Sequence, residues 1–507
     1  MPYLAQSSWL PRCISRTLSP GLADMCIIVA RALVDPMASV LTYSGGLFLV
    51  RSAPRLHFNK QHSALFGQRS TPQSEDANTT SRTVSPRLII LNQFFTPDYA
   101  PTGQLLSELV TNLSQQGVRI RVFAGQPAYA FQSTDAPSRE THGHVSIRRS
   151  RLASLWPSRI RGKAVNGLFY CLRAALHLIR NAHHTDQILI TTAPPFLPVL
   201  GYLAKMFLGM SYVCLIYDLY PDVAIQLSVI HEDHWVSRLW RWINRQVWNR
   251  ADSIIVLSSS MKERVIAHCP EVSDKISIIH SWANPEVIVP RKKDENWFAH
   301  KHNLVTPFTV MYSGNMGRCH DAQTILETMQ LLKDDPIQFV FIGGGAKRTH
   351  LIEQADALGL KNGLFLPYQD KADLPFSLTA CDLSLVSVTP EAEGLVAPSK
   401  LYSALASQRP IAAICDRQSY LTSLIHDAEC GATFTSGDSQ GLADFIRLLH
   451  STPAIAQQMG QSGRLYLQHH FTPDHIARQY HSVLFEGVVQ SERLTSYANT
   501  LTLANRP

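Results

Sequence analysis

Glu391-Ala-Glu393-Gly-Leu-Val-Ala-Pro398-Ser399-Lys400-Leu-Tyr-Ser403-Ala-Leu-Ala-Ser-Gln-Arg409-Pro410 is the stretch from which the rest of this chain can be read. The apolar segment before it, 383–388, reads as a buried strand. Two carboxylates and a glycine follow in a loop, and Pro398 is expected to open a helix. Proline suits the first helical position because its missing N–H would have no intrahelical partner there. The free N–H groups of that first turn, the helix dipole and Lys400 together predict an anion site, with phosphate the expected ligand. The helix should end near Arg409, and Pro410 starts another apolar strand.

Working outward, the same strand–loop–helix unit recurs on both sides. Residues 88–91 form a short apolar strand. A loop over 94–103 follows, with Pro97, Pro101 and Gly103, then a helix over 104–116 that Gly117 stops. Further strands are expected over 118–124, 187–191, 212–217, 253–257 and 276–279. Helices are expected from Leu197, over 235–249 and over 261–268, the last with a capping box of Ser260 and Glu263. After the charged linker 291–296 the pattern restarts, with strands over 308–312, 338–342, 364–366, 383–388, 411–414 and 432–434. Helices over 452–469 and 473–490 close it.

Alternating strands and helices imply parallel sheets covered on both faces. The expected fold is α/β, two Rossmann-like doubly wound domains (87–290 and 297–470) facing across a cleft. A C-terminal helix, 471–490, is expected to return to the first domain, and 491–507 to be a tail. Residues 1–86 hold only four acids with many Ser, Arg and Pro, and read as a poorly ordered, dispensable extension. In such folds ligands sit beyond the carboxyl ends of the strands.

Composition narrows the class. The 507 residues are 45% hydrophobic and carry a formal charge of +7, which predicts ordered cores in two or three domains. The nine cysteines are scattered and contain no Cys-x-x-Cys, so neither a disulfide framework nor a zinc site is expected, and a reducing compartment is. The longest apolar run, 195–217, reads as a helix over 197–208, a Gly-Met turn and a strand rather than a membrane span. No Asp or Glu falls between Thr141 and Thr185, where Arg148, Arg149, Arg173 and Arg180 mix with Leu155, Trp156, Phe169 and Tyr170. That mixture fits an anionic membrane surface, nucleic acid, or a solvated helix face beside an apolar one.

Four more strand ends carry candidate chemistry. At the first, Gly103 lets backbone approach a ligand beside a helix start. At Asp218-Leu-Tyr-Pro-Asp222, either carboxylate is placed to bind sugar hydroxyls or accept a proton, or to serve a turn or cap. At Ser313-Gly314-Asn315-Met-Gly317-Arg318, two glycines and an arginine fit a diphosphate, which Arg holds in bidentate fashion; His320 reads as a surface or capping residue. Gly343-Gly344-Gly345-Ala-Lys347 reads as a tight strand-to-helix turn more than as a phosphate loop. Glu391 and Glu393 are suited to accept hydrogen bonds from sugar hydroxyls.

Taken in order, these motifs resemble glycosyltransferase family 4, the retaining enzymes of the GT-B fold, in the branch that builds bacterial cell-surface polysaccharide. The resemblance spans about residues 87–490. It implies a nucleotide-sugar donor, usually a UDP-sugar, in the C-terminal half, and a glycan or polyprenyl-linked acceptor in the N-terminal half. It places Gly103, Gly314, Asn315, Gly317, Gly344, Pro398 and Ser399 around the donor. Arg318 and Lys400 then neutralise the diphosphate, Glu391 or Glu393 lies near the donor sugar, and Asp218 faces the cleft. It implies no metal, no cofactor beyond the donor and no nucleic acid. The expected setting is cytoplasmic, with peripheral contact to an anionic membrane.

Two departures stand out. Counting back seven residues from Pro410, where the family places a ribose-binding Glu, gives Ser403, and the matching first Glu would fall on Leu395. Arg318 also has no lysine after it to match the family's pair. A sugar-nucleotide epimerase on the same scaffold, or a non-catalytic sugar-nucleotide-binding protein, is the alternative expectation.

Overall fold

A computed structural model describes residues 86–98, 100–127, 136–150 and 160–486, with backbone alone over 160–164. The expected extension, Pro86 excepted, and the tail lie outside these residues. All the described residues belong to one compact unit, Ser85–Pro507.

The first half runs β1 (Arg87–Leu91), α1 (Pro101–Gln115), β2 (Arg119–Ala124), β3 (Arg139–His142), β4 (Val145–Arg149), α2 (Ile160–Asn181), β5 (Gln187–Thr191), α3 (Pro198–Leu208), β6 (Ser211–Ile216), α4 (Asp222–Gln226), α5 (Trp235–Arg250), β7 (Ser253–Val256), α6 (Ser259–His268) and β8 (Ile276–Ile278). These strands form one sheet in the order β3-β4-β2-β1-β5-β6-β7-β8. All neighbours are parallel except β3 and β4.

The second half runs α7 (Trp297–Lys301), β9 (Phe308–Ser313), α8 (Gln323–Leu331), β10 (Ile337–Ile342), α9 (Arg348–Ala357), β11 (Gly363–Leu366), α10 (Leu374–Thr379), β12 (Leu383–Ser387), α11 (Lys400–Ala406), β13 (Ile411–Ile414), α12 (Tyr420–Asp427), β14 (Gly431–Phe434), α13 (Ser439–Ser451), α14 (Pro453–His470) and α15 (Pro473–Phe485). Its sheet is wholly parallel, in the order β11-β10-β9-β12-β13-β14.

The strands are apolar on both faces because helices cover both. In β1, Leu88 and Ile90 enter one core while Ile89 and Leu91 enter the other, as side chains alternating across a doubly covered sheet must. The first of these cores crosses the halves, joining Leu106 of α1, Trp282, Leu401 of α11 and Tyr480 of α15.

Each sheet reverses its winding once. In the first the reversal lies between β1 and β5; in the second, between β9 and β12. Crevices open at such points. The β9 and β12 loops are the Ser-Gly-Asn-Met-Gly and Pro-Ser-Lys segments.

Several local expectations need correction. The helix at the decisive stretch begins at Lys400, not Pro398, and ends at Ala406. Pro398 and Ser399 instead form a tighter entry turn, their carbonyls accepting from Leu401 and Tyr402 three residues on, and Gln408 at φ 60° breaks the chain before Arg409. The cap of α6 is Ser258, whose hydroxyl accepts from Met261 N at 3.2 Å. Ser260 is inside the helix and accepts from Tyr420 N at 3.2 Å, so no capping box forms. Helix α1 starts at Pro101, which places Gly103 in its first turn rather than in the loop. A side chain at Gly103 would meet Phe95 N at 3.0 Å, so this glycine serves close packing of the helix on the β1 loop. The β3–β4 hairpin went unanticipated, since Arg139-Glu-Thr-His is exposed and has no apolar alternation.

Candidate active site

The site grows from β9. Its register with β10 pairs Ser313 with Ile342, so the loops leaving both strands start side by side. Gly343 has φ 126°, and a Cβ there would stand 2.3 Å from Gly314 O; Gly345 has φ 122°, and a Cβ there would stand 2.3 Å from Met316 O. Gly343 and Gly345 therefore make a backbone-to-backbone fit that no side chain permits. Met316 N donates to Gly344 O at 2.7 Å, and Lys347 N to Met316 O at 3.1 Å. The 343–347 turn is a platform that shapes the 314–320 loop.

Two lysines clasp that loop at its ends. Lys400 Nζ donates to the Tyr312 hydroxyl and, at 3.3 Å, to Asn315 O. Lys347 Nζ donates to His320 O at 2.6 Å. Among the described residues neither is ion-paired to a carboxylate. Burial pulls the Lys400 ammonium down to about 7. A lysine in that state gains most from an arriving anion.

His320 lies between them. It is half-buried rather than at the surface, and Asp321 does the capping, accepting from Thr324 N at 3.0 Å. Burial, then the charge of Lys400, push the imidazole down to about 3. The ring is neutral at physiological pH, with Nδ1–H donating to Ser387 O at 2.6 Å, which leaves Nε2 as an acceptor. Sequence reading missed His320, Lys347 and Tyr312 as site residues. Lys347 had a signal, its place two residues after three glycines; Tyr312 looked like any strand residue.

The loop after β12 stitches the site to the first half. Thr389 N donates to Cys319 O at 3.0 Å. Glu391 is exposed in a short turn. Glu393 is half-buried; its Oε1 is shielded and has no hydrogen-bond partner among the described residues, while its carbonyl accepts from Arg264 Nε at 3.2 Å. Gly394, at φ 73°, lies where a Cβ would meet Ser260 O at 2.7 Å. Leu219 N donates to Leu395 O at 3.1 Å, and Asp218 pairs with Val396 as an antiparallel bridge.

Asp218 thus stands at the seam, and burial raises its carboxyl to about 6. Asp222 is committed elsewhere, paired with Arg241 at 3.2 Å and His268 at 3.1 Å. Arg318 is exposed and reaches across the seam, Nη1 donating to Leu227 O at 3.4 Å. Ser403 lies within α11, its hydroxyl bonded to Lys400 O at 3.0 Å. The structure brings Gly314, Asn315, Gly317, Gly344, Lys400 and the 389–399 loop together around one crevice, with Asp218 across the seam. Gly103 sits at the switch point of the other sheet. Among the described residues no three His, Cys, Asp or Glu side chains are grouped to hold a metal.

Two doubly wound sheets, with two lysines on the loops at the switch point of the second, define a two-lobed α/β protein. Residues 102–282 match the glycosyl transferase 4-like domain, and residues 293–466 match glycosyl transferases group 1. WbjE of Pseudomonas aeruginosa, named as a glycosyltransferase, is 26% identical over 295 residues, 57% of this chain and 72% of that one. WcaI of Escherichia coli, named as a colanic acid biosynthesis glycosyl transferase, is 24% identical over 336 residues, 63% of this chain and 81% of that one. Among solved structures, Anabaena HepE in complex with UDP and glucose superposes with a TM-score of 0.59 at 15% identity, over 79% of this chain and 99% of that one. The chain belongs to the family 4 type of glycosyltransferases, with the GT-B fold.

Proposed function

We propose that this glycosyltransferase takes a UDP-sugar into the crevice between the β9 and β12 loops. It moves the sugar, with retention, to a glycan or lipid-linked acceptor of cell-surface polysaccharide synthesis. The observation that carries this reading is the pair of lysines, Lys400 and Lys347, holding opposite ends of the 315–320 loop without a carboxylate partner among the described residues. Lys347 supplies the second cation that the sequence after Arg318 lacks. That HepE is solved with UDP and WcaI is named for colanic acid supports the donor base and the product class.

In this reading charge develops on the leaving diphosphate as the glycosidic bond breaks. Lys400 and Lys347, fixed before the reaction, stabilise that charge without a metal ion, and Arg318 adds to them. Arg318 turns from Leu227 O toward the phosphate. The sugar becomes oxocarbenium-like, the acceptor hydroxyl attacks from the face the diphosphate leaves, and the leaving phosphate takes its proton. Asp218 and Glu393, at the seam, accept hydrogen bonds from sugar hydroxyls. Contact between the lobes keeps water from the reacting centre.

Among the described residues no helix is long and apolar enough to cross a membrane. All seven described cysteines are free, which supports a reducing, cytoplasmic setting. A crystal soaked with UDP tests the assignment. Diphosphate density within hydrogen-bond reach of Lys400 Nζ is expected; nucleotide bound elsewhere overturns it. A screen of UDP- and GDP-sugars for nucleotide release then identifies the donor.

A further inference from the structure

Helix α11 carries Lys400 and, two residues on, Tyr402. Residues so spaced lie about 200° apart around a helix axis, and these two serve different ends. Lys400 reaches Asn315 O at the crevice. Tyr402 is fully buried and meets the places where the chain passes between the lobes. That passage is made twice, along 279–296 after β8 and at 470–473 between α14 and α15. One residue from each meets Tyr402. His280 Nδ1 lies 3.1 Å from the Tyr402 hydroxyl, and the Phe471 ring stands edge-on to Tyr402 at 5.1 Å between centroids. His280 and Phe471 also meet each other edge-on, at 5.2 Å, and Ala283 N donates to Phe471 O at 3.3 Å.

The hydrogen bond has a definite sense. Burial, then the neighbouring His470, push the His280 imidazole down to about 4, and the Leu257 carbonyl accepts from the ring. The ring is therefore neutral at physiological pH. With its one N–H given to Leu257 O, Nδ1 accepts and the Tyr402 hydroxyl donates. A hydroxyl this buried loses most when its acceptor is removed. The far end of α11 is fastened to the same segment. Arg464 of α14 donates to Ala406 O, the last carbonyl of α11, and to Pro285 O and Ile288 O, both at 2.9 Å. So the short helix bearing Lys400 is tied, at its middle and its end, to residues 280–288 of the first lobe. Its neighbours in the chain, β12 and β13, belong to the second sheet.

We propose that His280, acting through Tyr402, is a positioning residue that sets the placement of Lys400 against the leaving diphosphate. The lysine then takes its position from the first lobe's exit segment as well as from its own sheet, and a change in the angle between the lobes moves it. The inference rests on the donor reading, in which Lys400 meets the diphosphate.

The test is a double-mutant cycle on donor turnover in the full chain. His280→Leu removes the acceptor. Tyr402→Phe removes the hydroxyl, keeps the ring and leaves no buried donor unpaired, so it serves if the leucine variant fails to fold. His280→Asn puts a side-chain oxygen near the place of Nδ1. The first two should each lower kcat about tenfold, the scale of loss when a reacting group is slightly misplaced, with a smaller change in donor KM. His280→Asn should stay within about threefold of wild type. In a Lys400→Ala background neither loss should recur, because the group being positioned is gone. A second tenfold loss in that background means that His280 and Tyr402 only hold the fold, and overturns the proposal. Wild-type turnover in both His280→Leu and Tyr402→Phe overturns it too. If Lys400→Ala alone keeps wild-type turnover, the donor reading has failed and this inference falls with it; an effect at Lys400 with additive effects at His280 sinks the inference alone.

Discussion

Lys400 is the residue whose chemistry is easiest to test. Its ammonium is held to about 7 by burial in the empty site, well below a free lysine. A diphosphate beside it favours the charged form, so binding must raise that value and take up a proton. The sign follows directly: near and above pH 7 the empty site is increasingly neutral, and UDP affinity should fall as pH rises from about 7 toward 9, approaching tenfold per pH unit for one linked proton. Calorimetry in two buffers of different ionisation enthalpy should show uptake of up to one proton at pH 8, and none in Lys400→Met. If both proteins show the same heat in both buffers, Lys400 does not meet the phosphate. Lys400→Ala should lower turnover at least tenfold, about 1.4 kcal/mol of barrier; unchanged turnover in a folded variant removes its role. Asp218, raised to about 6, should give the rate an acidic limb if its carboxylate form is the active one, and Asp218→Asn should flatten that limb.

At the scale of elements, the site is a set of loops whose shapes depend on one another. The 343–347 turn offers no room for a side chain at Gly343 or Gly345. Gly343→Ala should cost about 1–3 kcal/mol through strain at positive φ and displace the 314–316 backbone. UDP affinity should fall with it, which titration calorimetry and a melting curve would separate; an unchanged affinity would show that the platform is not what shapes the site. Much of this was legible in the sequence. Lys400 stood after Pro-Ser between an apolar strand and a helix, and the glycines around Asn315 announced a tight loop. The pairing of Lys347 with His320 O was not legible, because it depends on the register that sets Ile342 beside Ser313, and register is a property of two strands rather than of either one. The helix start was misplaced by two residues for a local reason. Pro398 is compatible with the first helical position, but the entry turn closes with i+3 bonds and regular helix begins only at Lys400. The mixture of basic and apolar residues around α2 was legible, but not that Phe169 faces outward while Tyr170 is buried, since sequence alone does not tell which of two apolar faces a sheet will cover.

The whole molecule holds its two lobes by more than the linker between them. Arg464 of α14 donates to Pro285 O and Ile288 O of the first lobe, both at 2.9 Å, and within that lobe Trp282 Nε1 donates to Glu108 of α1 at 3.0 Å. Helix α15 then returns from the second lobe to pack along α1, burying Ile476, Tyr480, Val483 and Leu484 in the core shared with the first sheet. At about 1.5–3 kcal/mol for each large apolar side chain, those four contribute roughly 6–12 kcal/mol as an upper bound, comparable with the net stability of an ordinary domain. The helix is therefore a fastening without which α1 exposes its apolar face, and a chain ending at Thr472 should aggregate on expression. A point substitution tests the same claim without truncation. Tyr480 is fully buried, meets Trp282 edge-on at 6.3 Å between ring centroids, and its hydroxyl has no hydrogen-bond partner among the described residues. Tyr480→Ala should cost about 3–5 kcal/mol through the cavity it leaves. Tyr480→Phe, which removes an unsatisfied hydroxyl and keeps the ring, should be neutral or stabilising. Chemical denaturation of the three proteins decides it. A Phe variant as damaged as the Ala variant would mean that the hydroxyl, and not the packing of α15 on α1, is what fastens the lobes.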